Sequence, residues 1–406
     1  EQNENRPTVE SKRIKTNQHD IFLSTKYNAY IHSKLKNKSV TNLIADLKAI
    51  KNDIEILGML QANIIDGIAL TKLFYYLKKI IINNENMPTE TEFGDLIFKY
   101  RQNATEILTK DKNFITQHSF EPIVGSGIDS AIIHYRPHEK VISNEKVLLL
   151  DTGGQYIFGT TDITRTLHLG SYDFESQDTS KDNQSKRTSK DIKSKTTSKD
   201  IKLKGTSKDK QSKDTSKLKD TSNDKQSKDT LKDTPCPRDM FKKYFTLVLQ
   251  GLLRSSRLTS TKKAFHKLFT DIARLPLFDY FYDYPHGTSH GVGHSNNVHE
   301  NDAFNDGAQI RNVISLEPGA YFPDKFGIRI ENCVVTVLKN IENDNFLTTM
   351  QLTFVPLQRD LIIKNMLDQK EKETLNEYNR NVYDFLNQYL TNEEREWLKE
   401  ETAIIE

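Results

Sequence analysis

The sequence has only two cysteines, Cys236 and Cys333, a single tryptophan and almost no net charge. In 406 residues, 58 Lys+Arg stand against 56 Asp+Glu, a formal balance of +2. Two cysteines this far apart cannot build a disulfide framework, so a reducing compartment is the default. No run approaches the roughly 18 uncharged apolar residues of a membrane span. The opening EQNENRPTVESKR lacks the apolar centre of a signal peptide. The expectation is a cytoplasmic protein without membrane contact. The first residue is Glu rather than Met, which suggests a fragment or a processed start. The charge balance also excludes a strongly basic nucleic-acid binder.

Apolar residues are scarce too, at 35%, but the scarcity is local. Between Thr179 and Asp233 lie 17 Lys+Arg, 9 Asp, no aromatic residue and five large aliphatics, so this stretch carries +8 and the remainder −6. TSKDNQSKR, TSKDIKSKT, TSKDIKLKG and TSKDKQSKD follow one another in register over 179–214. A nine-residue period without apolar spacing fits no solenoid. It cannot offset its ordering entropy and is expected to be disordered. Lengthening a loop from about 5 to about 60 residues costs roughly 2 kcal/mol, which a folded domain can carry. Asp interleaves the Lys throughout, so a polyanion-binding arm is disfavoured and nucleic acid is not the expected partner. Deleting 179–233 should therefore leave the thermal unfolding midpoint where it is in the full chain. A large fall in a scanning-calorimetry comparison would show the repeats to be integral.

The rest of the chain is patterned. Leu47, Ile50, Ile54, Leu57, Leu60, Ile64 and Ile68 recur at helical steps, continued by Leu73, Phe74 and Leu77, and 90–118 predicts a second helix and its exit. The runs EPIVGSG, SAIIHY, VLLLDTG, YIFGTTDITRT and LHLG then predict strands. After the repeats come helices over 240–253 and 261–273, His/Gly-rich loops, and strands at NVISLEPG, FGIRIENCVVTV and QLTFVPL. A helical region over 371–400 closes the chain, with Leu375, Tyr378, Val382, Phe385 and Tyr389 on its apolar face. Helices and antiparallel strands in separate blocks indicate an α+β fold. The expected organisation is a polar segment at 1–40, a catalytic domain in two parts (41–170 and 235–360), the insertion at 171–234 and a helical extension at 361–406.

Five groups carry chemistry: Asp151, Asp162, His290, Glu317 and Glu331. Asp151 ends the apolar strand VLLLD, and a hairpin at QYIFG would bring Asp162 beside it. Buried carboxylates need compensation. Glu331 alternates with apolar Ile328 and Ile330, and His290 lies in HGTSHGVGH, where glycines let backbone crowd a ligand. Four carboxylates and one imidazole suit a pair of divalent ions such as Mn²⁺, Co²⁺ or Zn²⁺. Two metals about 3.5–4 Å apart can share a water and lower its pKa toward about 7. Singly, each residue has a blander meaning: a turn cap, a surface ion pair, a solvated histidine.

The strings SFEPIVGSGIDSAIIHY, LLLDTGGQYIFGTTDITRTLHLG, HGTSHGVG…NVHE, ISLEPGAYFPDKFGIRIEN and LTFVP resemble, in order, the catalytic domain of the aminopeptidase P family. These are Xaa-Pro aminopeptidases of the pita-bread metallopeptidases, a curved antiparallel sheet covered by helices. The ending EREWLKEETAII resembles the eukaryotic cytosolic branch. The resemblance implies Asp151, Asp162, His290, Glu317 and Glu331 as ligands of two divalent ions, Mn²⁺ first and Co²⁺ or Zn²⁺ as alternatives. It implies His134, His286, His299, Tyr321 and Arg329 on the substrate side, with Glu317, His299 and His134 catalytic. The implied reaction is attack of a metal-bridging hydroxide on the first carbonyl of an Xaa-Pro peptide, with Glu317 shuttling the proton. It also implies a homodimer in the full-length protein and two N-terminal domains not found in this chain. Phe158 stands where the family has Asp, Arg311-Asn312 replaces Gly-Met, Met350 replaces Glu, and HSNNVHEND departs from FLNVHEGP around the substrate pocket. Prolidase, methionine aminopeptidase and a non-catalytic binding module on the same fold are the alternatives.

Overall fold

The computed structural model describes residues 21–22, 40–41, 47–144, 146–171, 238–295, 297–300, 307–341 and 344–406. The repeat insertion and nearly all of the polar segment at 1–40 lie outside the described residues. Strands β1 (Ile21–Phe22) and β2 (Val40–Thr41) form a short parallel pair.

Helix α1 (Asp53–Ile82) begins at Asn52, whose side chain accepts from the Ile54 and Glu55 amides while Glu55 reaches back to the Asn52 amide. This reciprocal cap fixes the start of the helix. The predicted helix therefore begins later than its apolar pattern: Leu47, Ile54 and Leu57 are 67%, 81% and 63% exposed. From Met59 onward the apolar face is buried. By length and composition alone α1 could cross a membrane, but most of that stretch is packed inside the fold. Helix α2 (Glu90–Thr109) ends at Lys110, which takes the left-handed φ of 66°. The exit from that helix runs through a 3₁₀ turn into strand β3 (Ile115–His118).

Strands β4 (Ile123–Ser126), β5 (Val147–Thr152) and β8 (Ile163–His168) form an antiparallel sheet with β5 in the centre. The run YIFGTTDITRT spans the end of one strand, all of a second and part of a third. β6 (Gly154–Tyr156) turns into β7 (Gly159–Thr160), and β8 starts only after Asp162. The predicted strand SAIIHY is absent. Gly127, at φ 66°, opens a 3₁₀ turn over Gly127–Ala131, and irregular backbone follows with Ile132 half-exposed.

Beyond the insertion come α3 (Arg238–Ser256) and α4 (Lys262–Phe278). Strands β9 (Val313–Leu316), β12 (Asn332–Ile341) and β13 (Asp344–Gln351) form a second antiparallel sheet, and β10 (Gly319–Phe322) pairs with β11 (Phe326–Arg329). The run FGIRIENCVVTV thus breaks at Ile330 and Glu331. LTFVPL, predicted as strand, is buried irregular backbone beyond the end of β13. The closing region is two helices, α5 (Gln369–Leu386) and α6 (Asn392–Glu401), each started by a capping box.

Side chains of β5 alternate as a strand must. Leu148 and Leu150 pack in a cluster with Phe74, Leu77, Phe93 and Ile97 of α1 and α2. Val147 and Leu149 belong to the main core with Phe241, Phe245, Phe265 and Phe269 of α3 and α4. Helices on both sides of mostly antiparallel strands make the fold α+β, as the sequence predicts.

Candidate metal centre

Each of the five carboxylate and imidazole groups comes from a different place in the fold. Asp151 lies near the end of β5 opposite Thr164 of β8. Asp162 directly precedes β8. Its neighbour Thr161 is tied to α1, where Asp66 accepts from the Thr161 hydroxyl (2.6 Å), from Tyr156 and from Arg101 (2.9 and 2.8 Å). Asp66 and Arg101 are fully buried. A buried ion pair with this many hydrogen bonds sets geometry rather than adding much net stability. It holds the turn that delivers Asp162.

Glu331 fills the break between β11 and β12. Its amide donates to the Thr164 carbonyl (3.0 Å), and Thr164 donates its hydroxyl to Glu331 Oε2 (2.8 Å). His290 and Glu317 are brought together by β9. The Ser315 amide donates to the His290 carbonyl (2.9 Å), the His290 amide to Ser315 Oγ (3.0 Å), and the Glu317 amide to the Thr288 carbonyl (2.9 Å).

These placements bring the candidate ligands together. Donor atoms of Asp151, Asp162 and Glu331 all lie within 4.8 Å of one another, as do those of His290, Glu317 and Glu331. His290 Nε2 is 3.3 Å from Asp162 Oδ2 and 3.4 Å from Glu317 Oε1. His290 Nδ1 sits 2.9 Å from the Gly291 carbonyl. A carbonyl can only accept, so Nδ1 carries a proton, and the other nitrogen faces two carboxylates, as in a metal-ligating histidine. Asp151 Oδ1 and Glu331 Oε1 are buried without a hydrogen-bond partner. Orphaned buried carboxylate oxygens are costly. Burial, with repulsion from Asp151 and Glu317, holds Asp162 well above the usual carboxylate range, and burial with the same neighbours and Asp162 does so for Glu331. Burial raises Glu317 as well. One hard, oxygen-rich donor set, two orphaned oxygens and a lone pair aimed into them fit divalent cations.

The substrate-side residues predicted from the sequence surround this set. Arg329 is 2% exposed. It donates to Asp151 Oδ2 (2.6 Å), to Thr164 Oγ1 (3.2 Å) and to the Tyr321 hydroxyl (2.8 Å). Tyr321 in turn donates to His286 Nε2 (2.9 Å), because His286 Nδ1 is committed to the Gly287 carbonyl (2.8 Å). Burial, followed by the charges of Arg329, Arg274 and His134, lowers His286 to about 4, so it is neutral at physiological pH. His299 stacks edge-on against His290 with ring centroids 4.1 Å apart, and burial lowers its pKa. His134 is exposed on the irregular stretch after the 3₁₀ turn, near enough for its charge to bear on both His286 and His299. It joins none of the donor clusters. Thr164, Ser315 and the Asp66–Arg101 pair were not singled out from the sequence. Only Thr164 left a trace there, two residues beyond Asp162 in the same run.

A family model described as metallopeptidase family M24 matches residues 58–201 and 232–337, and a second model, the C-terminal region of that family, matches 345–405. The chain belongs to metallopeptidase family M24. It has the family's pita-bread fold. A probable Xaa-Pro aminopeptidase P of Paracoccidioides brasiliensis (strain Pb03) is 32% identical over 407 residues, covering 95% of this chain and 54% of the relative. Its counterpart in Talaromyces marneffei is 30% identical, covering 88% and 46%. The chain thus spans about half the length of the curated relatives it matches. Among solved structures, the X-prolyl aminopeptidase of Caenorhabditis elegans, a cytosolic enzyme with a di-nuclear active site, superposes with a TM-score of 0.71 at 27% identity, covering 95% of this chain and 54% of that one. An Xaa-Pro dipeptidase of Bacillus anthracis shares the fold, with a TM-score of 0.52 at 19% identity, covering 84% and 73%.

Proposed function

We propose that this M24 chain is the catalytic portion of a cytoplasmic Xaa-Pro aminopeptidase that holds two divalent cations. Mn²⁺ is the first candidate, with Co²⁺ or Zn²⁺ as alternatives. The observation that carries the reading is the convergence of Asp151, Asp162, His290, Glu317 and Glu331, with orphaned oxygens on Asp151 and Glu331. Resemblance to enzymes named for this activity supports the substrate class. The five side chains would hold the cations, which when bound supply positive charge and an acidified water.

The protein's own groups account for the rest. Glu317, raised by burial, can take a proton from the attacking water on its carboxylate and return it to the prolyl nitrogen as the amide breaks. His299, packed on His290, and exposed His134 would donate to the carbonyl oxygen as it gains charge. The Arg329–Tyr321–His286 chain fixes the imidazole of His286 in one tautomer beside the candidate ligands. A homodimer is part of the proposal for the full-length protein.

The test is release of the first residue from an X-Pro-Y tripeptide by the purified chain. Release should depend on added Mn²⁺ and stop with a chelator. Cleavage confined to X-Pro dipeptides would make it a prolidase, and peptide binding with no cleavage under any of the three metals would make it a binding module.

A further inference from the structure

Lys51 has no part in the chemistry above, yet it is fully buried. Its ammonium donates to the carboxylate of Glu300 and to the Ala49 carbonyl (3.2 Å). The backbone under it is fixed on three counts. Ile50 bridges to Asn312, the Lys51 amide donates to the Arg311 carbonyl (3.1 Å), and Asn52 caps α1. Arg311, in the left-handed region at φ 70°, is itself tied by its amide to the Thr336 carbonyl and by its guanidinium to Asp53 (2.6 Å).

The other end of the pair reaches the site. Glu300 follows His299 directly, and its amide donates to the carbonyl of Gly291 (2.7 Å), the residue after His290. Ser295 fastens the far side of the same loop by donating to the Tyr156 carbonyl (2.8 Å). An exposed ion pair would constrain little. Here Glu300 cannot swing away without stranding an ammonium in the interior, which is strongly destabilising.

We propose that Lys51 is a positioning residue: through Glu300 it pins the loop that carries His299 against His290, without touching substrate or metal. Its catalytic consequence rests on the aminopeptidase reading, whereas the pinning itself does not. The experiment therefore has two readouts. Hydrogen–deuterium exchange over 291–300 is measured in metal-free protein, and kcat, KM and metal content are measured with an X-Pro-Y tripeptide and Mn²⁺. Lys51→Met should speed exchange at the Gly293 and Glu300 amides. It should lower kcat on the order of 10²-fold, the cost of misplacing an active-site group by about 1 Å, while KM and metal content hold. Lys51→Arg should recover much of both. In Lys51→Met/Glu300→Leu no charge is stranded, so the unfolding midpoint should return while kcat stays low. Where Lys51→Met does not fold, Glu300→Gln gives the same readouts. Unchanged exchange in the single variant, or kcat returning together with the midpoint in the double variant, overturns the proposal. If the unaltered chain with metal releases nothing, the aminopeptidase reading fails alone, and the exchange data still decide the pinning.

Discussion

Asp162→Asn should lose peptide hydrolysis and, in metal-free protein, gain stability. The carboxylate is 4% exposed and faces Asp151, Glu331 and Glu317 within one pocket. Without cations burial and these neighbouring charges raise Asp162 and Glu331 well above the usual carboxylate range and destabilise the fold. An amide of the same shape removes one of them, so the metal-free variant should unfold at a higher temperature than the metal-free parent. With metal the order reverses. A ligand present at 100 times its Kd stabilises the native state by about 2.7 kcal/mol, and the parent should gain on that scale while the variant gains little. Activity should fall by about 10³-fold or more, since a bound cation supplies several kcal/mol of transition-state stabilisation. Calorimetry with and without Mn²⁺, beside a tripeptide assay, checks both halves. A variant that retains metal-dependent stabilisation would remove Asp162 from the ligand set.

The legible part of the site was the part built from local signals. Asp151 and Asp162 show themselves because a carboxylate at the end of an apolar strand is conspicuous, and Glu331 because it lies on the charged face of an alternating run. The candidate ligands were readable as residue type and order, and the structure adds that the groups meet. Side chains that satisfy distant backbone were not legible. Lys51 reads as a solvated lysine beside a helix start, because nothing near it in sequence reports Glu300, 249 residues away. The strand errors have the same origin. LTFVPL has the composition of a strand, but its Thr353, Val355 and Pro356 carbonyls accept from side chains instead of a ladder. SAIIHY has it too, and there the left-handed Gly127 turns the chain before pairing can continue. Ile54 and Leu57 fit the helical period and yet are exposed, since period reports which residues share a face and not whether that face is covered.

Arg165 answers where the backbone hydrogen bonds of LTFVPL go, and it carries the second large expected effect. Buried backbone carbonyls must be paired. Arg165, 2% exposed, donates through Nη2 to the Val355 carbonyl (2.9 Å), Asn332 Oδ1 (2.8 Å) and the Tyr378 hydroxyl (2.7 Å). Through Nη1 it reaches the Thr164 and Glu331 carbonyls (2.8 and 2.7 Å), and through Nε the Pro356 carbonyl (3.3 Å). One guanidinium thus joins β8, the Glu331 break, the irregular segment and α5. Arg165→Met strands the Glu331 and Pro356 carbonyls at about 1–3 kcal/mol each, while Thr164 keeps the Glu331 amide and Val355 the Tyr378 hydroxyl, so a loss of roughly 2 kcal/mol or more is expected, a large fraction of the stability of any domain. Arg165→Lys keeps the charge but not the planar fork of five donors, and should recover only part of the loss. Because the same group holds the Glu331 backbone, metal affinity should fall in both variants, and added Mn²⁺ should restore the unfolding midpoint less than it raises that of the parent. Denaturant unfolding with and without Mn²⁺ measures both effects. A full rescue of stability by lysine would show that charge alone, and not the geometry of the fork, holds the carboxyl-terminal helices to the catalytic sheet.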